Sequence, residues 1–171
     1  IKGRKMVLIF VSSLNENLKL ANSIKTYLNS KNIETEIINL VDLNLPLYNS
    51  KIEETSGIPN EVLKLVSLMK NSSSYIFVNP EYNSCLTPVL VNTIAWVSRV
   101  GDDFRELFSL KKIQLATFSN VRGYDMLNAL RIQLSRMGSI VMPREIIVTT
   151  KNELNVKSME KILDTFINTK V

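Results

Sequence analysis

Short apolar runs alternate with helical patterns along the chain, and this alternation restricts the fold more than any other feature. Strand-like runs occupy residues 6–11, 34–40, 74–78, 112–119 and 140–148, the last interrupted near Pro143. Each run is followed by apolar residues at helical spacing. Strands that alternate with helices form a parallel sheet with right-handed crossovers and helices on both faces. The sequence therefore predicts an α/β fold with a five-stranded parallel sheet, and five strands favour the order 2-1-3-4-5.

Turn and capping residues predict where the helices begin and end. Pro59 and Pro88 favour the first turn of a helix, with Thr87 as the N-cap residue before Pro88. Gly138 is expected to end the helix that precedes it. Residues 41–58 contain a proline, a glycine and several asparagine and serine residues, so we predict one long loop there.

The helix after Pro88, which we expect to run to about Arg99, is apolar nearly all round. Such a helix is buried on both sides, which indicates a subunit interface in addition to a contact with the core. We therefore predict a homodimer or a larger assembly. The residues on which this rests are Val89, Leu90, Val91, Ile94, Ala95, Trp96 and Val97.

Length and composition fit one domain over residues 1–171. Apolar residues make up 45% of the chain and charged residues 22%, as in ordinary soluble proteins. No apolar run approaches the roughly 20 residues that cross a bilayer, so no membrane partner is expected. The single cysteine, Cys85, allows no intrachain disulfide. This suits a reducing compartment, and we expect a cytoplasmic protein.

Charge and the lack of histidine exclude several kinds of site. The net charge is +5, but lysine and arginine are spread over every segment, so no nucleic-acid partner is expected. The chain has no histidine, which excludes Ser-His-Asp and Cys-His catalysis and zinc sites built on imidazole. We therefore predict no metal site and no catalytic side chain. A cofactor or carboxylates would carry any chemistry.

Loops after the first, third and fourth predicted strands are rich in small polar residues. In sheets of this order, ligands bind at the carboxyl ends of the strands, where strands 1 and 3 diverge. The first loop can hold a phosphate through hydroxyls, amides and the free N–H groups of a helix start, although ordinary helix capping is an alternative. Its candidate residues are Ser12, Ser13, Asn15, Asn17 and Leu18.

The second loop, Asn79-Pro80-Glu81-Tyr82-Asn83-Ser84, is more specific than the first. Its Pro-Glu-Tyr-Asn segment leads through Pro88 into a helix that contains Ile94 and Trp96. In these residues the chain resembles the NADPH-dependent FMN reductase family of flavodoxin-like flavoproteins. The resemblance covers nearly the whole chain. Further matches are Ser13 with Asn17, Leu130 with Arg131, and residues 138–143.

The resemblance implies a flavodoxin-like three-layer sandwich, FMN as cofactor and NADPH as electron donor. In such a family member, reduced nicotinamide stacks on the flavin and gives it a hydride, and a small acceptor then takes the electrons. Family dimers and tetramers place parts of both subunits around each flavin. Carried over by position, Ser13, Asn15 and Asn17 would face the phosphate. Pro80, Glu81, Tyr82, Asn83 and Ser84 would face the ribityl chain and the ring.

Two departures from the family pattern concern the first and third loops. Ser12 replaces a glycine and Asn15 stands near the usual arginine, in a loop that is shorter than usual. Neutral donors would then hold the phosphate. The third loop has lost most of its glycines, and its candidates are Ser119, Asn120, Arg122 and Gly123. Arg122 would place a charge near the N1–C2=O edge of the flavin, with a solvated loop arginine as the alternative.

Two other functions remain open from the residues. One is a flavin-binding electron carrier or sensor without efficient NAD(P)H oxidation. The other is a flavodoxin-like protein that has lost the cofactor and acts through protein contacts. If the chain binds a flavin, we expect Tyr82 and Asn83 to contribute to flavin binding. Tyr48 and Tyr75 are not expected to contribute, because they lie away from the carboxyl end of the third strand.

Overall fold

The structure is a computed structural model that describes residues 6–170, so residues 1–5 and 171 of the predicted domain lie outside the described residues. Strands and helices alternate throughout, as the sequence predicts. In chain order the elements are β1 (Met6–Val11), α1 (Glu16–Ser30), β2 (Thr35–Asn39), α2 (Ser50–Ser56), α3 (Asn60–Asn71), β3 (Ser72–Val78), α4 (Pro88–Val97), β4 (Lys112–Ser119), α5 (Tyr124–Arg136), β5 (Ile140–Val141), β6 (Ile146–Thr149) and α6 (Val156–Asn168).

The sheet confirms the predicted order, with its last strand divided in two. The order is β2-β1-β3-β4-β5, all pairs are parallel, and β6 also pairs with β4. Pro143 lies between β5 and β6 and has no N–H to give to a ladder. The buried Gln114 side chain bridges the break, because its Nε2 donates to the Arg144 carbonyl at 2.6 Å. The predicted interruption of the fifth strand is therefore confirmed.

Helices cover both faces of the sheet, which makes the fold a three-layer sandwich. Adjacent strand residues point to opposite faces, as the two-residue repeat of a strand requires. Phe10 and Phe77 pack in the core beneath α3, α4 and α5, while Ile9 and Ile76 pack beneath α1 and α6. Each face therefore has its own apolar core. Within residues 6–170, no helix is long and apolar enough to cross a membrane.

The prediction of one long loop over residues 41–58 is wrong, because α2 lies within it. Local capping accounts for this short helix: the Asn49 side chain accepts a hydrogen bond from the Ile52 N–H at 2.9 Å. Gly57 ends the helix at a φ of +72°, a conformation that suits glycine. These signals are a single asparagine and a single glycine, too few to predict a helix without an apolar repeat.

Helix boundaries otherwise follow the proline and glycine signals closely. Thr87 and Pro88 are the N-cap and first residue of α4, as predicted. Pro59 is the N-cap residue of α3 and not its first helical residue. Gly138, with a φ of +88°, follows the end of α5. The α4 helix ends at Val97, two residues before the predicted end.

The apolar helix α4 is covered on its second side by the chain itself. The Asn92 side chain accepts from the Tyr48 N–H at 2.8 Å and donates to the Pro46 carbonyl at 3.0 Å. The Trp96 indole N–H donates to the same carbonyl at 2.7 Å, and its ring is fully buried. Val91, 44% exposed, is a large apolar residue that remains open on this helix. The segment between β2 and α2 therefore accounts for much of the burial that the sequence attributes to a subunit interface.

Candidate functional site

The three polar loops leave the same edge of the sheet and lie side by side. Val78 of β3 pairs in register with Val11 of β1 on one side and with Ala116 of β4 on the other. The first residue after β3 continues this ladder, since the Asn79 N–H donates to the Ala116 carbonyl at 3.1 Å. The structure therefore brings the predicted loops together where parallel sheets bind ligands.

The first loop presents an uncapped helix start. Asn15 is the N-cap residue of α1, but its side chain makes no capping hydrogen bond. Ser13 is half-buried, and Ser12 is buried with an Oγ that has no partner within residues 6–170. Leu18 points elsewhere: its side chain packs on the core, and its N–H donates to the Asn15 carbonyl at 2.9 Å. Open N–H groups in the first turn of a helix are a feature to which anions bind in many proteins, so the phosphate prediction for this loop stays a prediction.

Asn17 has a positioning role that the sequence does not show. Its buried amide pairs with the Phe118 backbone of β4, accepting from the N–H at 2.7 Å and donating to the carbonyl at 2.9 Å. The side chain therefore turns toward β4, whereas the sequence places it at the phosphate. This two-bond link holds the start of α1 beside the third loop. A phosphate contact of Asn17 stays a prediction.

The second loop is a tight hairpin turn. Tyr82 and Cys85 exchange two backbone hydrogen bonds, of 3.1 and 2.9 Å. Between them, Asn83 and Ser84 both have positive φ angles, +50° and +57°. Two consecutive residues of this kind are typical of a type I′ turn, which favours glycine at its second position. The turn holds the Tyr82 ring half-exposed, at 50%, above the buried Pro80.

Glu81 links the second loop to helix α5. Its Oε2 accepts a hydrogen bond from the Met126 N–H at 3.0 Å, in the first turn of the helix. The N-cap residue of α5 is Gly123, which has no side chain to fill this role. A carboxylate at a helix N-terminus is favoured by the helix dipole. The observed partner of Glu81 is therefore the helix, not the predicted ribityl and ring region, and contact with a flavin stays a prediction.

The third loop is shaped by one glycine that cannot be replaced without movement. Gly123 has a φ of +74°, and a Cβ at this position would lie 2.9 Å from Thr117 Cγ2. Ser119 is buried at the start of the loop, while Asn120 and Arg122 are exposed. Arg122 makes no ion pair with any residue in the described part of the chain. The loop therefore places a polar backbone and an available cation at the rim of the site.

Asn79 and Thr87 are two further buried polar residues at this edge of the sheet, and neither is among the predicted site residues. Asn79 is fully buried and neither atom of its amide has a partner, and the Thr87 Oγ1 is also buried without one. Buried polar groups in proteins are nearly always hydrogen-bonded. The signal in the sequence was their position, since they flank the Pro-Glu-Tyr-Asn segment on both sides.

The arrangement fits FMN. The orphaned Ser12 hydroxyl and Asn79 amide follow neighbouring strands, so unsatisfied donors and acceptors cluster where the ligand is expected. The open start of α1 fits a phosphate, and the exposed Tyr82 ring fits an aromatic ring system. The loops thus supply polar groups and an aromatic ring of the kinds that the phosphate and the ring system of FMN require.

The fold defines the chain as a flavodoxin-like α/β protein. Residues 6–153 match the family model of NADPH-dependent FMN reductases, and the chain belongs to this family. Among solved structures, a flavoenzyme NAD(P)H:(acceptor) oxidoreductase from Paracoccus denitrificans superposes with a TM-score of 0.79 at 22% sequence identity. The superposition covers 96% of each chain.

Curated relatives match over shorter segments. An uncharacterised protein of Mycoplasma pneumoniae is 30% identical over 97 residues, which is 56% of this chain and 55% of that protein. A quinone reductase of Escherichia coli K12 is 33% identical over 58 residues, 34% of this chain and 31% of that enzyme. The chain therefore spans about half the length of the Mycoplasma protein and about a third of the length of the quinone reductase.

Proposed function

We propose that the chain is an oxidoreductase that binds FMN, takes a hydride from NAD(P)H and passes electrons to a small acceptor. The observation that carries this proposal is the cluster of unpartnered polar groups at the carboxyl edge, around Ser12 and Asn79, beside the open start of α1. Family membership supports the same activity.

Residues of the three loops would hold FMN in three zones. The phosphate would be bound by neutral donors. These are the hydroxyls of Ser12 and Ser13 and the backbone and side-chain N–H groups of Asn15. Pro80 and Tyr82 would line the ring, and bound FMN would itself supply the hydride-accepting centre. The protein then needs no acid or base of its own, which agrees with a chain that lacks histidine.

Two side chains would also hold these zones in place through hydrogen bonds within the protein. Asn17 ties the first loop to β4, and Glu81 ties the second loop to α5. Because both links join a loop to a regular element, they limit how far the loops can separate. Such prior ordering reduces the entropy that binding would otherwise cost.

A quinone is a suitable acceptor to test first. The Escherichia coli relative that matches 58 residues of this chain carries the name quinone reductase. The half-exposed Tyr82 ring also offers an apolar surface beside the site on which a planar acceptor could lie.

We also propose that the protein is a cytoplasmic homodimer or homotetramer. The exposed apolar residues Leu47, Val91 and Tyr82 support a further contact near the second loop and α4. Sedimentation at micromolar concentration tests the assembly, and a monomer would contradict it. The single cysteine suits a reducing compartment, and cell fractionation tests that location.

The decisive experiment is the absorbance spectrum of the protein with added FMN, recorded before and after NADPH. We expect a bound-flavin spectrum that bleaches on addition of NADPH and recovers when a quinone is supplied. A protein that binds FMN but does not oxidise NADPH would instead be an electron carrier or sensor. A protein that binds no FMN would contradict the proposed function.

The flavin-side loop is tested by the double variant Tyr82→Ala/Asn83→Ala. Each lost contact should cost on the order of 1 kcal/mol, so FMN should bind roughly tenfold or more weakly. The fold should survive, because both residues are exposed. A matched control, Phe104→Ala/Asn128→Ala, removes an exposed aromatic ring and an exposed amide outside the three loops. Equal FMN affinities in the two variants, by fluorescence titration, would remove Tyr82 and Asn83 from the site.

A further inference from the structure

A second pocket lies beyond the third loop, on the side away from the first loop. It forms where that loop meets the start of α5 and the turn after β6, and its volume is about 600 Å³. Residues that matter for its chemistry are Asn120, Val121, Arg122, Tyr124, Lys151 and Asn152. The third loop is therefore shared between the flavin site and this pocket.

Hydrogen bonds build the wall of the pocket opposite the third loop. Thr149 Oγ1 accepts from the backbone N–H groups of Lys151 and Asn152, at 3.3 and 2.9 Å. The Thr149 N–H in turn donates to the Asn152 carbonyl at 2.9 Å, which closes the turn. The Thr150 hydroxyl donates to the Asn120 carbonyl at 2.9 Å and joins the turn to the third loop. The pocket is thus formed before any ligand arrives.

The pocket is positively charged. Arg122 and Lys151 line it, and neither makes an ion pair with another residue of the described range 6–170. None of the described residues that line the pocket is acidic. Glu153 follows closely in the sequence but lines a separate cleft against α1. An anionic ligand group is the partner that this lining favours.

The size and walls of the pocket favour a nucleotide over a small free anion. Its volume lies within the range of roughly 300–1,000 Å³ that is usual for organic ligands, and it is far larger than a phosphate ion needs. Tyr124 is 53% exposed and Val121 is 73% exposed, so an aromatic ring and an apolar side chain are available at the rim. A base can stack on such a ring while the cations pair with phosphate.

We propose that this pocket binds the adenosine-phosphate end of NADPH, with Arg122 and Lys151 paired with its 2′-phosphate. This inference rests on the proposed function, because it assigns the dinucleotide of that reaction to a place. The shared third loop supports it, because Asn120 and Arg122 line this pocket and belong to a loop that also borders the proposed flavin site. Two available cations also match the double negative charge of a phosphate monoester.

Direct binding to the FMN-saturated protein tests the pocket without turnover. Calorimetry would compare 2′,5′-ADP, 5′-AMP and inorganic phosphate on the wild type, on Lys151→Gln and on Arg122→Gln/Lys151→Gln. A matched control, Lys64→Gln/Arg136→Gln, removes the same charge from exposed positions on α3 and at the far end of α5. We expect 2′,5′-ADP to bind the double variant roughly tenfold or more weakly than the wild type, with the control unchanged.

Steady-state kinetics add a second readout of the same contact. In Lys151→Gln, the KM for NADPH should rise roughly fivefold or more while the KM for NADH stays near the wild-type value. Equal binding of 2′,5′-ADP and 5′-AMP to the wild type would overturn the proposal, as would binding of inorganic phosphate as tight as that of 2′,5′-ADP. Unchanged binding in the double variant would also overturn it. A wild type that binds no FMN, or that oxidises neither dinucleotide, would instead contradict the proposed function.

Discussion

Buried polar side chains differ in their hydrogen bonding between the two ends of the parallel strands, which we call the amino edge and the carboxyl edge of the sheet. At the amino edge, the buried Tyr75 hydroxyl lies 2.7 Å from the Leu107 carbonyl and 3.1 Å from the Met69 carbonyl. The Lys111 ammonium donates to the carbonyls of Met69 and Ser72. Burial also raises the pKa of Tyr75 above its ordinary value, so this phenol remains a hydrogen-bond donor across the physiological range. These hydrogen bonds satisfy Tyr75 and Lys111 at the amino edge, although the Oε1 atoms of Gln114 and Gln133 are also buried without a partner in the described part of the chain.

The carboxyl edge leaves comparable groups without partners. Ser12, Asn79 and Thr87 each bury a side-chain polar atom that no residue in the described part of the chain satisfies. The second loop adds two consecutive non-glycine residues in the left-handed conformation, Asn83 and Ser84, whereas at the amino edge such residues, Asn32 and Leu110, stand singly. Unsatisfied polar atoms and strained backbone both reduce stability. Natural proteins tolerate such costs mainly where a ligand relieves them or uses them.

We infer from this contrast that the amino edge contributes mainly to stability, while the unpartnered groups at the carboxyl edge serve the proposed site. Substitutions at the amino edge should therefore change the free energy of unfolding and leave FMN affinity alone. Substitutions of orphaned or strained residues at the carboxyl edge should change FMN affinity, and some of them should make the FMN-free protein more stable.

The largest expected effect on stability is at Gly123, a carboxyl-edge position where close packing leaves no room for a side chain. Gly123→Ala adds a Cβ that would lie 2.9 Å from Thr117 Cγ2 and 3.2 Å from Ser119 Cβ, at a φ of +74°. The left-handed backbone costs about 1–2 kcal/mol and the overpacking about 1–3 kcal/mol, so we expect about 2–5 kcal/mol of destabilisation. Urea unfolding of the FMN-free protein measures it.

Gly57→Ala tests backbone strain without overpacking. Gly57 has a φ of +72° with a ψ of −167°, a backbone region that is essentially limited to glycine, and a Cβ there would meet no atom within 4 Å. Backbone strain alone should cost about 1–3 kcal/mol there. A Gly123→Ala variant that loses less than about 1 kcal/mol would show that Thr117 and Ser119 do not constrain the third loop.

The regular elements other than α2, and the positions of the three polar loops, were predictable from sequence. Apolar runs and the order of strands locate the carboxyl edge, and the polar residues after Val11 and Val78 mark it as the candidate site. The directions of individual side chains were not predictable. Asn17 and Glu81 have their partners 101 and 45 residues away along the chain, and only the tertiary packing of β4 and α5 brings those backbone groups within reach.

The next largest effect is expected at the amino edge. Tyr75→Phe leaves the Leu107 carbonyl without the hydrogen bond from the phenol. The lost bond and the unsatisfied buried carbonyl should destabilise the protein by about 1–3 kcal/mol in urea unfolding. FMN affinity should not change, because the hydroxyl lies at the opposite edge from the site. Tyr82→Phe is the matched control: its half-exposed ring should show no loss of stability. A weaker FMN complex in Tyr75→Phe would break the division between the edges.

A smaller effect of opposite sign is expected at Asn79. Asn79→Val replaces a buried amide whose two polar atoms have no partner, so the FMN-free protein should gain about 1 kcal/mol. FMN should bind roughly tenfold more weakly if the amide contacts it. Gln114→Leu provides the contrast: its Oε1 also has no partner, but its Nε2 donates to the carbonyls of Arg144 and Leu115, and the loss of these bonds should destabilise. If Asn79→Val also destabilises the FMN-free protein, the unpartnered Asn79 amide does not lower the stability of that protein.

The smallest effect is expected at the strained turn of the second loop. Ser84 has a φ of +57° at the second central position of the Tyr82–Cys85 turn, where type I′ geometry favours glycine. Ser84→Gly relieves a left-handed cost of about 1–2 kcal/mol, but the greater freedom of glycine in the unfolded chain returns about 0.5–1 kcal/mol. The FMN-free protein should therefore gain about 0.5–1 kcal/mol in urea unfolding.

Asn83→Gly is the control for this gain in stability. FMN affinity then shows whether the strained turn serves cofactor binding. Asparagine tolerates the left-handed region far better than serine, so Asn83→Gly should leave stability nearly unchanged, in contrast to Ser84→Gly. If the Ser84 hydroxyl contacts the cofactor, Ser84→Gly should also bind FMN a few-fold more weakly, by about 0.5–1 kcal/mol. A variant that is more stable and binds less FMN would show that the turn keeps serine for its hydroxyl. A more stable variant with unchanged FMN affinity would mean that the strain at Ser84 serves no contact with the flavin, and the contrast between the two edges would then rest on Ser12, Asn79 and Thr87 alone.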